Sequence, residues 1–317
     1  MRFNFSNGIK GCRADKVRID SFMSEVKKEL RFTKMHGAGN DYIYIDAMAG
    51  APSNLPRLAR LVSDRHFGVG SDGLVAILPS PKADFRMRMF NADGSEAQMC
   101  GNASRCIGRY VYERGLTDKR EITLETLAGI KRLSLDVKSG KVGKVTVDMG
   151  EPVLSAKHIP VRSRNGEKMV SEPVSVCGKE YIITAVGMGN PHAVVFCDEP
   201  TDALVLGEGP KLEIADIFPE KANIEFAHVA TPERIEMRVW ERGTGETLAC
   251  GTGACAVAVA AVLNGMAGRK VTIALRGGDL QVEWRESDNR VYLTGGAEFV
   301  ADGIFYYTDY NDDADKR

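Results

Sequence analysis

Two cysteines, Cys100 and Cys250, stand 150 residues apart in the same local pattern. Each is followed by a glycine and then by a stretch that predicts a helix starting close to the cysteine. The first N–H groups of a helix have no intrahelical partner, and the helix dipole is positive at that end. Both effects favour the thiolate, which is the reactive form of a cysteine. Either cysteine alone would be explained equally well as a structural residue.

The same construction occurs twice in the chain. Residues 85–102 read FRMRMFNADGSEAQMCGN and residues 235–252 read IEMRVWERGTGETLACGT, which aligns the two cysteines. The motif GAGN at 37–40 returns as GMGN at 187–190 with the same offset. The pattern predicts a duplicated fold of two similar halves, because a solenoid needs three or more short repeats. Two halves related by a pseudo-twofold axis would bring Cys100 and Cys250 to opposite walls of one cleft.

Strands and helices are predicted around these motifs. A strand ends at Trp240, a glycine-rich loop follows, and an apolar helix runs from about Cys250 through Leu263. Residues 56–66 start with proline and carry apolar residues at helical spacing, which predicts an amphipathic helix. GVGSDG at 68–73 has the spacing of a dinucleotide-binding loop. It follows a helix and opens a strand, which is the reverse of the order that such a loop requires.

The composition is typical of a globular protein long enough for two domains: 317 residues, 44% hydrophobic and 27% charged. A net charge of −1 argues against a nucleic-acid or membrane-surface partner. The longest purely apolar run, 254–263, is too short to span a membrane. Seven cysteines without a CxxC pair indicate a reducing compartment, and the five scattered histidines give no zinc-ligand spacing.

Two facing cysteines at helix starts suit a proton transfer. One thiolate would remove a proton from one face of a carbon while the opposite thiol delivers a proton to the other face. The product is the inverted stereocentre. A proton next to a carboxylate leaves a developing negative charge, which needs preorganised donors. The helix starts offer them at Gly101, Asn102, Gly251 and Thr252. Arg242 would pair with a carboxylate and Glu241 with an ammonium group.

Five motifs, in order, resemble the diaminopimelate epimerase family: KMHGAGNDY, DRHFGVGSDG, FNADGSEAQMCGN, GMGNPH and ERGTGETLACGTGA. The resemblance covers residues 31–306. It implies an isomerase that interconverts LL- and meso-diaminopimelate for lysine and peptidoglycan synthesis without a cofactor or a metal. It also implies an α/β fold of two pseudo-symmetric domains, each a curved, barrel-like sheet around a central helix, with the active site in the cleft between them.

The resemblance assigns Cys100 and Cys250 as the base and acid pair. It implies substrate contacts by four asparagines, two charged residues and the turn amides: Asn40, Asn91, Asn190, Asn223, Glu241, Arg242, Gly101, Asn102, Gly251 and Thr252. His192 and Gly73 are possible supporting residues, although some family members carry a glutamine at the position of Gly73. The family also implies a homodimer, and the predicted location is the cytoplasm.

Four segments are predicted on this basis. Residues 1–30 form an extension without an assigned role, and residues 31–148 form the first half. Residues 149–295 form the second half. Residues 296–317 provide a last strand that returns to the first half, followed by an acidic tail.

Three other functions remain open from the sequence. A proline or hydroxyproline racemase-type enzyme would share the duplicated fold and the paired cysteines, but it typically has a histidine where this chain has Asn102. A non-catalytic binding protein would need neither Cys100 nor Cys250. A thiol–disulfide oxidoreductase is disfavoured by the absence of a CxxC pair.

Overall fold

Strands dominate the computed structural model of the protein, which describes residues 27–164 and 166–308. Residues 30–305 form one compact unit, and the remaining described residues, 27–29 and 306–308, belong to a second unit. Most of the predicted N-terminal extension and the acidic tail lie outside the described residues.

The first part of the chain contains eight strands and two helices. They are β1 (Lys27–Gly37), β2 (Asn40–Asp46), α1 (Leu55–Ser63), β3 (Gly73–Leu78), β4 (Phe85–Asn91), β5 (Glu96–Ala97), α2 (Gly101–Glu113), β6 (Glu121–Thr126), β7 (Gly129–Lys138) and β8 (Lys141–Gly150). The helix predicted over 56–66 is α1, and the helix expected after Cys100 is α2.

The second part follows the same plan, with a π-helix added. Its elements are β9 (Glu172–Val176), β10 (Lys179–Gly187), β11 (Pro191–Phe196), the π-helix (Ala203–Glu208), α3 (Gly209–Glu213), β12 (Asn223–Thr231), β13 (Arg234–Glu241), β14 (Gly245–Glu246), α4 (Gly251–Leu263), β15 (Lys270–Leu275), β16 (Gly278–Trp284), β17 (Val291–Gly295) and β18 (Glu298–Thr308).

Strand pairing repeats between the two parts. In the first, β2 runs parallel to β3 and β4 parallel to β6, and the other neighbours are antiparallel. In the second, β11–β12 and β13–β15 are the corresponding parallel pairs. Strands β8 and β17 pair antiparallel and join the two parts, and β18 pairs with β1. The predicted α/β class with a curved sheet is confirmed, but the sheet is not closed as a barrel. The division at residues 148 and 149 stays a prediction.

Helix α2 packs against β7 and β8, and helix α4 packs against β10–β12 and β15–β17. Every residue of α4 from Gly253 to Ala261 is buried, and small side chains let the helix fit against the strands around it. Gly108 of α2 has a similar role, since a β-carbon there would lie 3.0 Å from Leu135 and 3.2 Å from Val145. Close packing of both helices therefore fixes where each of them begins.

No helix in residues 27–164 and 166–308 is long and apolar enough to cross a bilayer.

Gly73 offers a test of the sheet packing. It pairs with Asn91 across β3 and β4, and a β-carbon there would lie 2.0 Å from Phe90 O and 2.7 Å from Tyr42 Cε1. We expect Gly73→Ala to lower the free energy of unfolding by about 1–3 kcal/mol, because a backbone oxygen must move. Urea unfolding measures the change.

Gly143→Ala is the matched control. The nearest atom to a β-carbon at Gly143 is Asp136 O at 3.8 Å, an ordinary contact distance. This variant should stay within about 0.5 kcal/mol of the wild type. Equal stability of the two variants would contradict the packing described for Gly73.

Candidate active site

Both cysteines line one open cleft of about 1610 Å³. All the residues predicted to be catalytic or to contact substrate line this cleft, namely Cys100, Cys250, Asn40, Asn91, Gly101, Asn102, Asn190, Asn223, Glu241, Arg242, Gly251 and Thr252. The two possible supporting residues, His192 and Gly73, are buried and do not line it.

The cleft is built where two helix starts meet. Cys100 is the N-cap of α2 and Cys250 is the N-cap of α4. A β-carbon at Gly251 would lie 3.9 Å from the α-carbon of Gly101, so the first residues of the two helices are neighbours. Leu293 of β17 packs on both, 3.0 Å from a β-carbon at Gly101 and 3.1 Å from one at Gly251. The glycines after the cysteines therefore allow this close approach.

Cys100 belongs to a network of side-chain amides. Its thiol donates to Asn40 Oδ1 at 3.5 Å, and Asn102 Nδ2 donates to the same oxygen at 3.2 Å. Asn102 Nδ2 also lies 3.4 Å from the carbonyl oxygen of Ala249, which precedes the other cysteine. The Asn40 amide nitrogen donates to Asp72 Oδ2 at 2.8 Å. Asn40 is thereby held with its oxygen toward the Cys100 sulfur.

Cys250 is bonded by its own helix. Its sulfur accepts the Gly253 N–H at 3.4 Å, and the hydroxyl of Thr252 lies 3.4 Å from it. Cys250 is 5% exposed, so its thiol lines the cleft but has little access to solvent.

Burial is the main cause that raises the pKa of both thiols, and the overall rise is larger for Cys250. For Cys100, the N–H groups of Ala103 and Asn102 act in the opposite direction. For Cys250, the Glu241 charge adds to the effect of burial. The N–H groups at the helix starts do lower the pKa of both thiols, as expected, but desolvation outweighs them, so the net shift favours the thiol.

Glu241 and Arg242 lie at the end of β13, where the strand leaves for the cysteine loop. Glu241 accepts a hydrogen bond from the Thr247 hydroxyl, and burial raises the pKa of its carboxyl. The Arg242 side chain is exposed at the cleft and donates to Glu220 O at 3.1 Å, while its backbone N–H donates to Asn223 Oδ1 at 2.9 Å. A partly buried carboxyl and an exposed guanidinium thus stand side by side.

His192 acts on the cleft through Asn190. Its Nε2 lies 2.8 Å from Asn190 Oδ1 and its Nδ1 lies 2.6 Å from Glu225 Oε1. Both His192 and Glu225 are fully buried. The histidine therefore orients an asparagine of the cleft, as Pro191 O does for Asn223 by accepting from its amide at 3.0 Å.

Four residues around the cleft were not predicted from the sequence. Asp72 holds Asn40, Thr247 holds Glu241, Glu225 holds His192, and Arg105 donates to Asn102 Oδ1 at 2.8 Å. Asp72 lies within the motif DRHFGVGSDG, so this motif could have indicated it from the sequence. In residues 27–164 and 166–308, no group of three His, Cys, Asp or Glu side chains could hold a metal ion.

A family profile and two curated relatives name the same family. The diaminopimelate epimerase profile matches residues 32–155 and 184–300. Diaminopimelate epimerase of Acetivibrio thermocellus is 57% identical over 275 residues, covering 86% of this chain and 98% of the relative. That of Methanococcus maripaludis (strain C6) is 54% identical over 274 residues, covering 86% and 99%.

Solved structures show the same architecture at low identity. A phenazine biosynthesis protein of the PhzF family from Bacillus anthracis has a TM-score of 0.62 at 18% identity and covers 87% of this chain and 99% of its own. A hydroxyproline epimerase from Agrobacterium vitis with bound trans-4-hydroxy-L-proline has a TM-score of 0.64 at 14% identity, covering 90% and 94%. At these identities the likeness concerns the fold alone. The identity to the curated relatives, together with the profile match, shows that this chain belongs to the diaminopimelate epimerase family.

Proposed function

We propose that this chain is a diaminopimelate epimerase that interconverts the LL and meso isomers by proton transfer between two cysteines. The observation that carries this proposal is the meeting of two helix starts, each capped by a cysteine, in one cleft. The family of the chain supports the substrate.

The proton transfer balances without any redox step. The thiolate of one cysteine takes the α-proton, so an S–H bond forms and the Cα–H bond breaks. The electron pair is left on the α-carbon and its carboxylate. The thiol of the other cysteine then gives its proton to the opposite face, which forms the new Cα–H bond and leaves a thiolate there. The reverse reaction restores the first state of the pair.

The helix starts supply the carboxylate site. The first N–H groups of each helix have no intrahelical acceptor, and the aligned dipoles favour an anion between them. The donors would be the N–H groups of Gly101, Asn102, Gly251 and Thr252. As negative charge develops on the α-carbon and its carboxylate, these fixed donors stabilise it without reorganising.

Charged groups would hold the rest of the substrate. The partly buried Glu241 carboxyl would bind an ammonium group, whose positive charge would also favour ionisation of a neighbouring thiol. Arg242 would pair with a carboxylate. Side-chain amides would supply the remaining polar contacts, from Asn40, Asn91, Asn190 and Asn223. His192 would contribute by orienting Asn190.

A homodimer in the cytoplasm, acting without a cofactor, is part of the same proposal. The dimer follows from the family resemblance. The six cysteines in the described part of the chain are all free, which supports a reducing compartment. Light scattering on the purified protein gives the oligomeric state, and a monomer at working concentration would contradict the dimer.

Substrate choice can be tested with a chiral assay. We expect epimerisation of LL-diaminopimelate to a mixture with the meso isomer, and no turnover of L-proline or trans-4-hydroxy-L-proline. The reason is that Glu241 and Arg242 suit a primary ammonium with a carboxylate better than a ring nitrogen. Turnover of hydroxyproline without turnover of diaminopimelate would favour the racemase-type alternative. Binding of diaminopimelate without turnover would favour the non-catalytic one.

The roles of the cysteines can be tested by substitution. We expect Cys100→Ala and Cys250→Ala each to lower kcat by about 10²–10⁴-fold or more, the contribution typical of a general acid or base. In deuterated water, the wild type should place deuterium at the α-carbon of the product. Cys255→Ala is the control, because this sulfur is buried in α4 and does not line the cleft. Near-full epimerisation by either single variant would exclude the two-cysteine mechanism.

The raised pKa of Glu241 predicts a pH-dependent stability. A carboxyl whose folded-state pKa lies above its ordinary value of 4.5 opposes folding once it ionises. This loss of stability begins as the pH rises through the unfolded value and is complete above the folded one. We therefore expect Glu241→Gln to raise the free energy of unfolding at about pH 8, with a gain that shrinks toward about pH 4.

Urea unfolding across this pH range provides the measurement. Glu236→Gln is the control, because Glu236 is exposed on the same strand. It should show no such pH-dependent gain. A Glu241→Gln protein that is less stable than the wild type at pH 8 would overturn the account of this carboxyl as a desolvated group awaiting a cation.

A further inference from the structure

The two parts of the chain differ at two buried positions near the cysteines. Arg105 lies in α2, and the 150-residue repeat places Cys255 at the equivalent position of α4. Glu225 lies in β12, and the equivalent residue of β3 is Val75. Both charged side chains are 0% exposed. The duplicated fold therefore has a buried cation, Arg105, in the half that carries Cys100 and a buried anion, Glu225, in the half that carries Cys250.

Arg105 occupies a slot that glycines leave open. A β-carbon at Gly37 would lie 2.9 Å from Arg105 Nη2, and one at Gly295 would lie 3.0 Å from its Nε. Nε donates to Gly296 O at 3.2 Å and Nη2 donates to Asn102 Oδ1 at 2.8 Å. Neither bond goes to a carboxylate, and Nη1 has no hydrogen-bond partner in the described part of the chain. Burial lowers the pKa of Arg105, but a guanidinium still remains charged at neutral pH.

The charge of Arg105 reaches Cys100 through an ordered pair of amides. Because Asn102 Oδ1 accepts from Arg105, the amide nitrogen of Asn102 is the atom that faces Asn40. Asn40 in turn presents its oxygen to the Cys100 thiol. The nearby positive charge lowers the pKa of Cys100, against the effect of burial. Arg105 thus both orients the neighbours of this thiol and favours its ionised form.

Glu225 has the opposite relation to Cys250. A β-carbon at Gly253 would lie 2.8 Å from Glu225 Oε1 and 3.3 Å from the Cys250 sulfur, so carboxylate and thiol flank the same turn of α4. One oxygen of the Glu225 carboxylate accepts from His192 Nδ1 at 2.6 Å, and the other has no partner in the described residues. This negative charge raises the pKa of Cys250.

Glu241 acts on both thiols in the same sense as Glu225. It is the main charge that raises the pKa of Cys250, to which its carboxylate is hydrogen-bonded, and it raises the pKa of Cys100 only as a minor contribution. The other titratable groups near Cys100 are Tyr42, Tyr44 and Cys106, and burial raises the pKa of all three, which keeps them neutral. The difference between the thiols therefore comes from Glu241 together with the two buried charges that the repeat does not share, Arg105 and Glu225.

We propose that Arg105 is a positioning residue that makes Cys100 the first thiol to lose its proton, while Glu225 keeps Cys250 protonated. This rests on the proposed function, since a two-cysteine transfer needs one thiolate and one thiol together. Two identical thiols would reach that state only over a narrow pH range. Fixed opposite charges widen the range by separating the two ionisations, which assigns one base and one acid before substrate binds.

The pH dependence of alkylation in the substrate-free enzyme tests this directly. The full chain is treated briefly with iodoacetamide at a series of pH values, and the labelled Cys100 and Cys250 peptides are quantified by mass spectrometry. The midpoint of each curve reports ionisation, and it does not depend on how easily the reagent reaches the sulfur. We expect the Cys100 midpoint to lie at least about one pH unit below that of Cys250, a tenfold difference in thiolate at a given pH.

Two variants separate charge from structure. Arg105→Met should raise the Cys100 midpoint by about one pH unit and leave the Cys250 midpoint unchanged, and Arg105→Lys should restore it. In Arg105→Met, the acid limb of the pH profile of kcat/KM for LL-diaminopimelate should shift to higher pH together with the Cys100 midpoint. Glu225→Gln keeps the contact to His192 without the charge, and it should lower only the Cys250 midpoint.

Each outcome decides the proposal. Equal alkylation midpoints of Cys100 and Cys250 in the wild type would overturn it. An Arg105→Met protein whose Cys100 midpoint equals that of the wild type would also overturn it. If Arg105→Met does not fold, which circular dichroism shows, the wild-type difference and the Glu225→Gln shift decide it. Because no substrate is present, a protein that fails the chiral assay can still give the predicted midpoints, so the two failures are distinguishable.

Discussion

The structure depends on the contact between the first residues of α2 and α4. Two helices can start side by side only if the residues at the contact are small, and Gly101 and Gly251 meet this condition while Leu293 fills the space beneath them. The residue before each glycine then has to face the cleft as the helix N-cap. Both of these residues are cysteines. One packing constraint therefore places two thiols and two sets of unpaired N–H groups around a single volume.

Burying the thiols and the Glu241 carboxyl costs free energy, and a bound substrate would offset this cost. Burial raises the pKa of both thiols and of Glu241, which disfavours the charged forms that the chemistry needs. A zwitterionic ligand brings an ammonium group and a carboxylate to these positions. Its charges would stabilise the ionised thiol and carboxylate in place of the water that burial removes. The site is therefore arranged to bind a charged ligand, although this arrangement lowers the stability of the free protein.

The repeat in the sequence predicted most of the frame. It placed a helix start at each cysteine, a turn before Asn40 and Asn190, and a strand before each cysteine loop, because these are local patterns. The repeat could not predict the buried side chains that contact these elements from other parts of the fold. Arg105 and Glu225 act across elements far apart in sequence, and Arg105 fits in its place only because β1 and β17 carry glycines beside it. The helix dipole argument also missed the stronger effect of desolvation, since burial is a property of the folded chain.

The central claim is that the two sulfurs address opposite faces of one carbon. A crystal structure with diaminopimelate bound tests it most directly. The account predicts an α-carbon between the sulfurs of Cys100 and Cys250, roughly 3.5 Å from each and on a line that crosses the carbon. A substrate whose α-carbon contacts only one sulfur, or that meets both from the same side, would contradict it.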